Sequence, residues 1–598
     1  MHSFLKIIFF SLLAVILPFS CSKKDKSSGT VHHKKNNKIS YNSSGKSKSG
    51  KEPLAEVITS GEISILFHNI NDIPVIRDIQ VRDGLLRINN IISGLDLRYM
   101  EIPDAANLLK KYYSNSSTLL IDGSTLCANE IQEILKTSHV PEIYLRLSGK
   151  DITHLVCLES IKTDRLYLEI VENKDISVFR ILKKLKNLYG LIISNSTYSG
   201  EVLDAVSSLR GLRYLSMHNQ KTGDFKKLAA LTSLHTLKLP LCNISGDFLK
   251  NIVNPAKIKN LDLSQTKLDT KQYNYLKSFK NIEKLCLRYT KFSGTQSGLL
   301  GEMKKLSSLS VAYTSEFNDK AAENIKNLKL RNLDIEGTGV TEFGMDELKN
   351  IRTLEKLNIS FLALSPEILG YLRKLPRLVS LTMRNSNLTT KSLKRIGKLE
   401  TLKELDLSGS KIDDSVTVEL GKLKNLQVLR LDETTISDTG FKHIVSLHKL
   451  KSLSLMKSSV SGTALEKISI KGLKFLSIGG TSLRDDIYNF IKGFLSLETL
   501  KTSGLMIEGK LLSSLSTIPN LRELDLSGTA VTDEVLVTAA DLPSLEKVYV
   551  IDTGVTCKSV LELYKKKPTL KVFGPSCDLK ENETEKNKKR QKIRVRKK

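Results

Sequence analysis

Leu521–Ser544 reads LRELDLSGTAVTDEVLVTAADLPS, a block of 24 residues. Its spacing decides the fold. Leu521, Leu524 and Leu526 are apolar, and the last two alternate with Glu523 and Asp525. Alternation at period two predicts a short strand with one buried face. Ser527-Gly528 predicts a bend, Thr529 follows at a fixed offset, and Val531 returns to the apolar side. Thr532 is placed to cap a helix opened by Asp533-Glu534, whose carboxylates suit a positive helix end. Leu536, Ala540 and Leu542 then supply an apolar stripe, and Pro543 ends the helix.

The same pattern, L-x-x-L-x-L-x-x-[T/S], returns about every 24 residues from Leu188 to Leu545. The copy from Leu426 keeps it closely: Leu429 and Leu431 for the strand, Thr434 at the offset, Ser437 as cap, and Phe441, Ile444 and Leu447 facing inward. No single copy can bury its own apolar face, so the copies must stack into one solenoid. Weaker copies extend backwards through Leu168-Glu169-Ile170, Leu145-Arg146-Leu147, Leu119-Leu120-Ile121 and Leu95-Asp96-Leu97. The offset hydroxyls, among them Thr266, Thr290, Thr314, Ser386, Thr434 and Thr529, are expected to donate to a carbonyl of the adjacent turn. Cys242, Leu362 and Leu505 break that series.

These residues resemble the leucine-rich repeat family, in the type found in ribonuclease-inhibitor-like and F-box-associated repeats. The strand consensus, the period and the run from Thr529 to Asp533 (or Thr434 to Asp438) carry the likeness. The resemblance implies an α/β solenoid, a horseshoe with a parallel sheet on the concave face and short helices on the convex face. It implies no particular ligand.

The ends differ in composition. Met1–Lys6 followed by an apolar run from Ile7 to Leu17 reads as a signal peptide. It ends in Leu17-Pro18-Phe19-Ser20-Cys21, which resembles a bacterial lipoprotein signal with Cys21 as the lipidated residue. An ordinary secretory signal is the alternative. Ser22 after the cysteine, by the same resemblance, favours the outer membrane. Residues 22–51 hold nine Lys against one Asp and almost no apolar content. A stretch of that kind suits a flexible tether. The expected organisation is therefore a signal at 1–21, a tether at 22–55, an N-terminal cap at 56–90, and repeats with a C-terminal cap at 91–577. The clear repeats span 185–573, and a basic tail fills 578–598. The basic ends suit an anionic polymer or lipid, or serve only as solvated chain.

No catalytic or metal motif is present: there is no H-E-x-x-H, P-loop, dinucleotide fingerprint or G-x-S-x-G, and the ten His are scattered. The chain reads as a non-enzyme without a cofactor. Its column of residues between the strand core positions is polar and mixed in sign, and the chain has no Trp. Two clusters on that column are candidate contact sites, Tyr214 with His218 and Lys238, and Glu404 with Asp406, Arg430 and Asp432. Cys557 and Cys577 are a candidate disulfide for the C-terminal cap. Cys127, Cys157, Cys242 and Cys286 show no metal-ligand spacing.

The expected function is non-catalytic recognition of a protein or glycan in the bacterial cell envelope, with a lipid anchor and no specific nucleic acid. The alternatives are an intracellular scaffold or ubiquitin-ligase-type adaptor, and a secreted effector that engages host proteins.

Overall fold

The computed structural model describes residues 79–575, apart from 83–84, 89–90, 99, 101, 114–117, 149–150, 159–160, 173–177, 183, 186–187, 195–200, 245–246, 463–470, 486, 492, 511 and 568–569. The signal, the tether, most of the N-terminal cap segment, Cys577 and the basic tail lie outside them. The chain divides into two compact units, residues 1–334 and 335–598.

In the first unit, Ile79–Arg82 pairs antiparallel with Leu85–Ile88, which pairs antiparallel with Ile91–Asp96. From Ile91–Asp96 onward every described pairing is parallel. The strands follow in chain order through Thr118–Asp122, Glu142–Ser148, Arg165–Val171, Leu188–Ser194 and Tyr214–Met217 to Asn332–Asp334. The second unit repeats the arrangement from Lys356–Asn358 to Lys571–Phe573. Most of the parallel strands are followed by a short helix or helical turn, such as Asp414–Leu420 or Asp438–Ile444. The strand leucines and the helix stripe meet in the interior: Leu429, Leu431, Phe441, Ile444 and Leu447 are all buried.

The register corrects one expected alignment. Leu119 pairs with Ile143, and Ile121 pairs with Leu145. The equivalent of Leu145-Arg146-Leu147 therefore starts at Ile121, two residues later than the sequence pattern suggests. The physical reason is strand length. Glu142–Ser148 and Arg165–Val171 have seven residues each, so extra alternating positions mimic the motif.

Consecutive turns interlock through the backbone in a fixed way. The carbonyl of Lys403 accepts the N–H groups of both Gln427 (2.7 Å) and Val428 (3.0 Å) of the next turn, and Lys259 does the same for Glu283 and Lys284. Three residues beyond the strand, the chain turns through positive φ. Glycine holds that position at Gly409 and Gly528, but Tyr289, Tyr313, Phe361 and Lys457 hold it elsewhere, with φ between 52° and 57°. A non-glycine residue pays roughly 1–2 kcal/mol to sit there. The geometry aims its N–H along the solenoid: Gly409 donates to Asp432 O (2.8 Å) and Tyr289 to Ala312 O (2.9 Å).

The hydroxyl series works differently from the expectation. Thr266, Thr290, Thr434, Thr481 and Thr529 donate to the carbonyl three residues back in their own turn, at 2.5–2.8 Å. Among the described residues of the series, Thr314, Ser386 and the thiol of Cys242 reach the preceding turn. The left-handed bend folds the last strand carbonyl back over its own Thr, which satisfies that carbonyl locally.

Aspartates carry the side-chain link between turns. Asp414 accepts from Ser437 N (2.7 Å) and Ser437 Oγ (2.5 Å) of the next turn. Asp438 does the same for Ser461, and Asp485 for the backbone of Glu508 and Gly509. A Cβ on Gly440 would lie 2.3 Å from an Asp414 carboxylate oxygen, so glycine leaves room for this bond. Asp533 likewise takes Thr556 N (2.6 Å), Thr556 Oγ1 (2.8 Å) and Ser559 Oγ (2.6 Å). Ser437 caps its helix as expected, but at the helix Glu534–Asp541 the N-cap residue is Asp533, not Thr532. Asp533 makes no side-chain cap bond there, because its carboxylate is committed to the following turn.

Asp414→Ala is expected to cost about 1 kcal/mol by removing the acceptor of the half-buried Ser437 N–H and hydroxyl, read as a lowered midpoint in thermal denaturation. An unchanged midpoint would show the link to be idle. The bonds from Ser559 and Thr556 hold the Asp533 carboxyl below the usual range. Such a group adds stability above its ordinary pKa and loses it as pH falls through the depressed value. Asp533→Asn should therefore flatten the acid side of the stability profile below pH about 4.

Candidate functional site

The sheet face of the first unit carries an aromatic cluster built by register. Tyr144, Tyr167, Gly190, Tyr214 and Thr236 are successive partners on five strands. Side chains at matched positions of parallel strands lie about 4.8 Å apart, so aromatic rings there must stack. Tyr144 and Tyr167 do, with centroids 4.3 Å apart and planes 13° from parallel. Tyr167 lies 5.2 Å from Tyr189 and meets Tyr214 edge-on at 6.3 Å. The ring of Tyr167 lies over Gly190, where a Cβ would come within 2.4 Å of Cδ1.

Ion pairs border the rings. Arg165 meets Glu142 at 2.5 Å, and Arg146 approaches Glu169 at 3.7 Å. Ser194 Oγ donates to Glu169 (3.2 Å). Tyr144, Tyr167 and Tyr214 are 1–4% exposed, and Glu169 is 1% exposed. Burial pushes the Glu142 carboxyl up despite the opposing Arg165 guanidinium, and it pushes the Tyr144 and Tyr167 phenols up as well. The Tyr214 hydroxyl is buried without a hydrogen-bond partner. Cations form the accessible rim: Arg165 and Arg213 lie over the Tyr189 ring at 5.8 and 5.7 Å, and Lys238 over Tyr214 at 5.6 Å. Arg213 is exposed and has no ion pair among the described residues. Tyr144, Tyr167 and Tyr214 are closed to solvent, so half-buried Tyr189 and the rim cations, Arg213 above all, form the accessible surface.

The structure thus brings Tyr214 and Lys238 together. His218 follows the same strand, its N–H donating to Ile193 O at 3.1 Å. Tyr144 and Tyr167 are hidden in the weak early copies, and Tyr189 stands outside the column between the strand core positions. The signal was present in IYLRLS and LYLEIV, where tyrosine precedes the core leucine by one residue.

The second cluster lies in the other unit, and its carboxylates are engaged locally. Asp406 and Arg430 are register partners. Asp406 accepts from Ser408 N at 3.0 Å, and its nearest cation is Arg384 at 3.9 Å. Asp432 accepts from Ser454 Oγ (2.5 Å) and Met456 N (2.8 Å), and burial raises its carboxyl. Glu404 accepts from Ser380 Oγ (2.6 Å). Asp406 belongs to a recurrent bend, D/N-x-S, also built by Asp262, Asn358 and Asp525. Arg430 alone is exposed.

Cys127 and Cys157 form a disulfide, 5.6 Å between Cα atoms, which the sequence reading did not pair. Cys557 is disulfide-bonded, while Cys577 lies outside the described residues. Cys242 and Cys286 are thiols outside any disulfide, and burial pushes the Cys242 thiol up to about 12. Among the described residues no group of three or more His, Cys, Asp or Glu could hold a metal, and no helix is long and apolar enough to cross a membrane.

Residues 300–565 match the family model described as leucine-rich repeat region. Among solved structures, the chain is similar to an internalin from Listeria monocytogenes, with 20% identity, a TM-score of 0.40, and coverage of 55% of this chain and 89% of that one. It is also similar to a leucine-rich repeat protein from Leptospira interrogans, with 21% identity, a TM-score of 0.38, and coverage of 66% and 91%. A third is the ectodomain of a plant membrane receptor kinase from Arabidopsis thaliana, with 15% identity, a TM-score of 0.33, and coverage of 77% and 72%. No curated protein matches the chain.

Gly190→Ala is expected to displace the Tyr167 ring and cost about 1–3 kcal/mol. Near-UV circular dichroism reads this directly, since the chain has 17 Tyr and no Trp. A native tyrosine spectrum and an unchanged melting midpoint would contradict the packing described.

Proposed function

We propose that this chain, whose residues 300–565 match the leucine-rich repeat region, is an exported, lipid-anchored protein of the bacterial cell envelope that recognises a protein partner without catalysis. Leucine-rich repeat regions are typically protein-interaction modules. The partner seats on the sheet face of the first unit, with Arg213 and Lys238 contacting it over the buried tyrosines. A protein partner with acidic side chains suits that rim, and a glycan is the second candidate.

The observation that carries the export reading is the disulfide between Cys127 and Cys157. Disulfides of this kind persist in oxidising compartments and are rare in the cytosol. A third half-cystine, Cys557, argues the same way. Both weigh against an intracellular scaffold or adaptor. The apolar run Ile7–Leu17 and the following Cys21 support export with lipidation, and the Lys/Ser-rich stretch after it supports a tether. The secreted-effector reading shares the disulfides and differs only in the fate of Cys21.

Metabolic labelling with a radioactive fatty acid, followed by membrane fractionation, separates the readings. Label and membrane association are expected in the parent chain and absent from Cys21→Ala. An unlabelled parent released into the medium would instead support secretion, and an unlabelled parent in the cytosol would overturn export altogether.

A further inference from the structure

Positive charge is most concentrated at one stretch of the second unit. Between residues 373 and 403 there are nine Lys or Arg against one acid, Glu400. The next most basic stretch of the unit, residues 442–474, has seven Lys against Glu466. Arg373, Lys374 and Arg377 sit on the helix-to-strand turn of one repeat, and Lys391, Lys394, Arg395 and Lys398 on the helical side of the next. All seven are exposed, and none is in an ion pair among the described residues. Nearby Lys422, by contrast, pairs with Glu419. Between the two turns runs an open groove floored by Leu372, Leu375 and Leu399 and flanked by Arg373 and Lys398.

We infer that this basic groove is a binding surface for an acidic polysaccharide, a linear chain bearing sulfate or carboxylate groups. Two adjacent turns present cations at the spacing of the repeat, which suits a ligand whose charges also repeat. The stretch contains no aromatic residue, and none of its large apolar residues is exposed. A protein interface would need such anchors, and stable insertion into a bilayer would need exposed apolar groups. A hydrophilic polyanion needs neither. Duplex DNA is disfavoured on the export reading above, and it is tested separately so that the two ideas can fail independently.

The test is calorimetric titration of the full chain with heparin as the sulfated probe. Parallel titrations use desulfated heparin, duplex DNA, and vesicles containing phosphatidylglycerol. The combined variant R373Q/R377Q/K394Q/K398Q is expected to bind heparin at least about tenfold more weakly, with a steeper loss in the parent than in the variant as salt rises. R373K/R377K keeps the charge and should keep the affinity. K588Q/K589Q/R590Q/K592Q, which removes as many charges from the tail, should lose little. Unchanged melting midpoints exclude misfolding of these surface variants. The inference is overturned if heparin does not bind the parent, if the groove variant binds as the parent does, or if the tail variant loses as much. Tighter binding to DNA, vesicles or desulfated heparin than to heparin overturns it as well.

Discussion

Within each unit, the described turns depend on a backbone interlock with their neighbours. One carbonyl at the strand entry accepts two N–H groups from the following turn, as Lys403 does for Gln427 and Val428 and Arg522 for Glu546 and Lys547. At the strand exit, the N–H of a left-handed residue points the same way, as Gly528 does toward Ile551. These bonds fix the register, and the register fixes which side chains are neighbours. The leucine period, the threonine bend and the aspartate link all serve to keep this geometry repeating. Non-glycine residues such as Tyr289 and Lys457 accept the cost of positive φ because a different bend would leave those N–H groups unpaired.

The candidate site is a consequence of the same constraint. Parallel strands in exact register put equivalent residues in columns, so tyrosines at equivalent positions form a stack and oppositely charged residues form rungs. Glu142 opposite Arg165 and Arg146 opposite Glu169 are such rungs. Removing the water from them costs free energy that their attraction offsets only in part, which fits the raised Glu142 carboxyl. Their value lies in ordering the surface. A rigid floor reduces the entropy lost when a partner binds.

The repeat and its stacking were legible in the sequence because leucines at fixed spacing have one physical solution. Leu429, Leu431, Phe441 and Ile444 lie where the pattern puts them. The finer chemistry was less legible, for reasons that differ from residue to residue. Asp406 and Asp432 look like a contact cluster in a column, yet each carboxylate turns to a nearby backbone amide, which a pattern of residue types does not reveal. Tyr144 and Tyr167 sit on longer strands whose motif is diluted. Cys127 and Cys157 meet because one turn brings them together, and nothing in their spacing announces it. Asp414 resembles an ordinary helix-opening acid until the next turn supplies Ser437.

The central claim is that the complete turn is the unit of this structure, and removal of one turn tests it most directly. Deleting residues 402–425 removes one strand, one bend and one helix, and joins Thr401 to Leu426 in matching register. Thermal unfolding followed by circular dichroism should then show a folded chain with a cooperative transition. Deleting only residues 402–413 should abolish that transition in the surrounding turns. Equal damage from both deletions, or greater damage from the complete one, would contradict the account.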